Sequence, residues 1–115
     1  MKKKEQLGEN YLERVPHKNG LIKWSKGEDD LITLEIENKG AMNRLAQKLF
    51  KKPKFSYIHL DENGSFVWEN INGETNLIEI GEKVHEHFGE KAEPLYERLA
   101  KFISILESYN FIKFN

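Results

Sequence analysis

Cysteine is absent from the 115-residue chain. That one absence removes disulfide frameworks, thiolate zinc sites, iron–sulfur ligation and thiol nucleophiles. No apolar run approaches the roughly 18 residues a membrane span needs. The eight glycines are scattered, and none forms the GxGxxG or GxxxxGK(S/T) spacing of a phosphate-cradling loop. Met1-Lys2-Lys3-Lys4 runs into Glu5-Gln6 with no apolar segment behind it, so a secretory signal is not expected and the cytoplasm is the expected compartment.

The residues present describe a soluble globular chain. Hydrophobic residues make up 38% and charged residues 32%, too apolar for disorder, and the length suits one domain with one modest core. The net charge of −1 conceals a split. Residues 1–60 carry 13 Lys/Arg against 8 Asp/Glu, a balance of +5, whereas residues 61–115 carry 5 against 11, a balance of −6. A polyanion would therefore meet the first half, not the second.

Residues 1–20 read as a polar arm that docks through Tyr11 and Leu12. Leu21–Trp24 and Leu31–Ile36 are β-rich runs joined by the turn-forming Ser25–Asp30. Ile32, Leu34 and Ile36 alternate with Thr33, Glu35 and Glu37, the pattern of a half-buried strand. Over 41–53 the period changes. Met42, Leu45, Ala46, Leu49 and Phe50 form one helical stripe, Arg44, Gln47, Lys48 and Lys51 oppose it, and Pro53 stops it. Residues 54–60 resume as a third strand.

Beyond residue 60 three helices are predicted. Asp61 caps the first, which runs through Phe66, Val67, Trp68 and Ile71 to Asn72-Gly73. Thr75 caps the second, with its stripe of Leu77, Ile80, Gly81, Val84 and Phe88 stopped by Gly89. Pro94 opens the third at its first helical position, and Phe111–Phe114 form a terminal strand. The expected fold is α+β and winged-helix-like: an N-terminal three-stranded antiparallel sheet followed by three helices, with a helical insertion between strands two and three. In domain terms this is a 1–20 arm and a single 21–115 domain. The tail would be the first strand of a wing, with no chain left for the wing to return.

Few residues suggest catalysis. His85 and His87 stand two apart on a helix and point to different sides, unlike the i, i+4 pair of a zinc helix. His17 lies in the arm and His59 mid-strand, neither beside a second ligand-type residue in the sequence, and no serine lies in an elbow-like context. No catalytic residue, metal or cofactor is expected. Helices two and three form a helix-turn-helix-like pair, which makes a winged-helix DNA-binding regulator one reading. The would-be recognition helix 93–109 is acidic, however, so nucleic acid is disfavoured. Strand three offers an open edge for an added peptide strand, and the third helix is apolar over two stripes. A stand-alone scaffold or oligomerisation domain stays open as well, and the same edge admits a homodimer.

The stretch from Lys54 to Ile112 resembles the PqqD-like proteins, the peptide recognition elements of ribosomal-peptide modifying systems. The resemblance lies in Ile58-His59-Leu60-Asp61 closing a strand and opening a helix, then Ile71-Asn72-Gly73-Glu74-Thr75 entering the next. It extends to Ile80 within that helix and to the closing Phe102–Ile112. The helix and loop 41–53 depart from the family, where a short turn is common. The resemblance implies a non-enzymatic winged-helix module that binds the leader of a precursor peptide as a strand and presents it to a modifying enzyme, often a radical SAM protein. Carried over by position, main-chain groups of Lys54, Phe55, Ser56, Tyr57, Ile58 and His59 would supply the ladder. Tyr96, Leu99, Phe102 and Ile103 would accept apolar leader side chains, and Arg98 or Lys54 would pair with a leader carboxylate.

Overall fold

A computed structural model describes residues 9–37 and 55–114. The predicted helix 41–53, Lys54 and the lysine-rich tip at 1–8 lie outside these residues. The described elements run α1 (Glu9–Leu12), β1 (Pro16–Lys18), β2 (Lys23–Lys26), β3 (Ile32–Glu37), β4 (Phe55–His59), α2 (Glu62–Glu69), α3 (Leu77–Phe88), a 3₁₀ turn (Gly89–Ala92), α4 (Leu95–Ser108) and β5 (Ile112–Phe114). The architecture is α+β, with antiparallel sheets and, among the described residues, three helices longer than one turn.

Strand order is where the fold departs from expectation. Among the described residues there are two sheets, one three-stranded in the order β2-β3-β4 and one two-stranded pairing β1 with β5. The terminal strand is therefore not the first strand of an unfinished wing. Its partner comes from the arm, with Pro16 opposite Phe114 and Lys18 opposite Ile112. The arm can reach it because its polar groups are satisfied along the way. Leu77 N–H donates to the Arg14 carbonyl, Gly73 N–H to the Pro16 carbonyl, and Asn19 N–H to the Phe111 carbonyl. Tyr11 and the Arg14 guanidinium both pack on the Phe114 ring, the latter 4.0 Å from its centroid.

Several boundaries also shift, each for a local reason. Asn19 accepts the N–H groups of both Leu21 and Ile22, so the chain turns there and the first strand of the hairpin starts at Lys23, not Leu21. Helix α3 is capped by Asn76, not Thr75. Asn76 and Glu79 form a reciprocal capping box, while the Thr75 N–H is taken by Asn72 Oδ1 at 3.0 Å. Pro94 is the N-cap of α4, not its first helical residue, and the Glu93 carboxylate accepts the Leu95 N–H. Helix α2 stops at Glu69, with Asn70 as its C-cap, although Asp61 begins it as predicted and accepts Gly64 N–H at 2.8 Å.

The core lies between the inner face of the three-stranded sheet and the helices. Ile32 and Leu34 of β3, Trp68 of α2, Ile80 of α3 and Ile103 of α4 are all fully buried. Each such side chain contributes about 1.5–3 kcal/mol over its exposed state. Where β3 and β4 part, Ser65 Oγ takes the Ile32 N–H at 2.8 Å and stands near the Leu60 carbonyl, which explains a hydroxyl with only 2% exposure.

Candidate functional site

Strand β4 is one margin of the three-stranded sheet among the described residues. Leu60 N–H donates to the Ile32 carbonyl at 2.8 Å, and the register places Ile58 opposite Leu34 and Ser56 opposite Ile36. Bonded and non-bonded pairs alternate along an antiparallel ladder. The main-chain groups of Ser56 and Ile58 therefore turn inward to β3, and those of Tyr57 and His59 turn to the outer margin. Side chains alternate across the sheet by the same rule. Ile58 is half-buried on the core face, whereas Tyr57 is 56% exposed and His59 exposed on the other. His59 Nδ1 lies 3.0 Å from Thr33 Oγ1 across the strands, which steadies the ring. Phe55 and Ser56, both half-buried, begin the strand.

The residues predicted on the third helix do not share one surface. Leu99 and Ile103 are core residues, 4% and 0% exposed. They anchor the inner face of α4 and are not reachable from solvent. Tyr96 is tied to α3, with its hydroxyl donating to the Ile78 carbonyl at 3.1 Å and its ring against Gly81. Burial, helped by Glu82, raises its pKa above the ordinary 10.0. Arg98 is exposed and donates to the Lys91 carbonyl at 2.8 Å. Phe102 is the one that reaches α2, the helix that follows β4. Its ring packs over Gly64 at the start of α2, so closely that a Cβ there would lie 3.2 Å from Phe102 Cζ and 3.2 Å from Asp61 Oδ1.

Two residues extend this helix surface beyond the sequence expectation. Ile105 is 44% and Tyr109 62% exposed, and Tyr109 stacks on Phe111. Phe102, Ile105 and Tyr109 follow one another at spacings of three and four, so they share a face of α4. Ile105 gave no clear signal because it falls in line with the exposed Arg98 and Lys101, on the polar side of the helix.

The histidines considered as ligands are placed otherwise. His87 stacks on Phe66 with ring centroids 4.5 Å apart, and His85 Nδ1 lies 3.5 Å from a Glu93 carboxylate oxygen. No helix among the described residues is long and apolar enough to cross a membrane. Residues 51–112, more than half the chain, match the family model described as Coenzyme PQQ synthesis protein D (PqqD). No curated protein and no solved structure matches the chain.

Proposed function

From the premise that this chain belongs to the PqqD family, we propose that it is a non-enzymatic peptide-binding module. It takes up the leader of a ribosomally made precursor as a strand added beside β4, and presents it to a modifying enzyme of the radical SAM type. The observation that carries the reading is the marginal position of β4, with the main-chain groups of Tyr57 and His59 on its outer side. Strand addition needs such groups for affinity and flanking side-chain contacts for specificity.

In this reading the ladder runs along residues 54–59. Apolar leader side chains rest against Phe102, with Ile105 and Tyr109 prolonging that surface, while Tyr96 ties α4 to α3. Leu99 and Ile103 hold the helix in place from beneath. Arg98 or Lys54 meets a leader carboxylate. The arm and residues 21–115 act as one unit, since β1 is bonded to β5.

The test is a titration of the isotopically labelled protein with a synthetic leader from a precursor encoded nearby. Amide signals of Tyr57–His59 and Phe102 are expected to move, and Tyr57→Pro, which deletes an outward N–H donor, is expected to weaken binding by at least about tenfold. Unmoved β4 signals at saturating leader would refute strand addition.

A further inference from the structure

Among the described residues the three-stranded sheet has a second margin, β2, on the side opposite β4. Gly27 N–H donates to the Leu31 carbonyl at 2.9 Å, and the register continues with Ser25 opposite Thr33 and Lys23 opposite Glu35. By ladder alternation the main-chain groups of Lys23 and Ser25 turn inward, and those of Trp24 and Lys26 turn outward. All four residues of the strand are exposed.

The side chains along this margin have a definite chemistry. On the core-side face the Trp24 indole, 43% exposed, stands edge-on to buried Trp68. The Lys18 ammonium lies 5.4 Å from the centroid of each ring. Leu21, just before the strand, is 89% exposed. On the opposite face Lys23 is exposed, with Glu35 one strand further from the margin. Lys26 is already held by Glu69 at 3.0 Å and Asp30 at 3.8 Å.

We propose that the β2 margin accepts a short extended segment of a partner protein by strand addition, with apolar side chains on the Trp24 face and a carboxylate beside Lys23. Charge selects this occupant. Of the strand's two cations, Lys26 is held by Glu69 and Asp30, which leaves Lys23 to meet a carboxylate. A second copy of the strand would bring more lysine to the seam and no carboxylate of its own. Lysine on an edge discourages self-pairing while leaving the edge open to an acidic strand. The two margins would let one small sheet hold two extended segments, and this second site stands whether or not β4 binds a leader.

The probe is a blocked Val-Glu-Val-Glu-Val peptide, with Val-Lys-Val-Lys-Val as its control, titrated to millimolar concentration into the labelled full chain. The acidic peptide is expected to shift the amides of Trp24 and Lys26 and the Trp24 indole N–H. The basic peptide is expected to leave them in place. Lys23→Gln, an exposed change, is expected to weaken acidic-peptide binding about three- to fivefold at low salt. Equal response to both peptides, shifts confined to Tyr57 and His59, or no shift at all would overturn the proposal. So would Trp24 shifts that follow protein concentration without peptide, since these would assign the margin to a second copy.

Discussion

Replacing Gly81 by alanine sets two effects of opposite sign against each other. Gly81 lies inside α3 and is buried. Helix propensity alone makes alanine better there by about 1 kcal/mol. The added methyl, however, would stand 2.8 Å from Tyr96 Cζ and 2.9 Å from Tyr96 Oη, with Cε1 in contact as well. The Tyr96 ring must then swing away, which breaks its 3.1 Å bond to the Ile78 carbonyl. Losing that bond costs about 1 kcal/mol and the forced repacking about 1–3 kcal/mol. The expected balance is a destabilisation of about 1–3 kcal/mol, or a Tm lower by roughly 4–12 °C. Urea unfolding should show a lower midpoint with an unchanged slope. In a Tyr96→Leu background the same glycine substitution should become neutral or stabilising, because the clash is gone. A single Gly81→Ala variant that is more stable than the parent would refute the packing argument.

Ser65→Ala should cost about 1–3 kcal/mol, because it leaves the buried Ile32 N–H without its acceptor. A change below 0.5 kcal/mol in the urea midpoint would count against that role. Lys18→Met removes the ammonium bonded to the Ile71 carbonyl at 2.6 Å and set beside two indoles. A loss of about 1–2 kcal/mol is expected, with an altered near-ultraviolet tryptophan signal. Burial raises the Tyr11 pKa above 10.0, with Glu107 adding to the rise and Arg14 opposing it. Unfolded tyrosine then loses its proton first, so this contribution to stability is whole below about pH 10 and fades as pH climbs past it. Lys18, lowered from 10.5 by burial, works in the opposite sense over the adjoining range. Tyr11→Phe should therefore lose stability less steeply than the parent above pH 10, and identical slopes would disprove the contribution.

Much of the fold was legible because local chemistry and tertiary environment agreed. The alternation of Ile32, Leu34 and Ile36 placed β3, Asp61 capped α2, and Gly89 ended α3 as its C-cap. The cap of α3 falls one residue beyond Thr75 because Thr75 and Asn76 are both good caps, and only Asn76 has a glutamate three residues on. The candidate site was less legible. Leu99, Phe102 and Ile103 are all apolar and all on one helix, yet two lie in the core and one packs over Gly64. Apolarity marks a residue for burial without saying what buries it.

By itself the sequence determined the helices after residue 60, the hairpin ahead of them and the absence of thiol chemistry. These follow from caps, turn residues and periodicity acting over a few positions. The tertiary structure alone decided that Pro16–Lys18 of the arm pairs with Ile112–Phe114 in a second sheet. Strand partners are chosen by hydrogen bonds between residues distant along the chain. A short polar strand such as Pro-His-Lys carries no pattern of its own that would announce its partner.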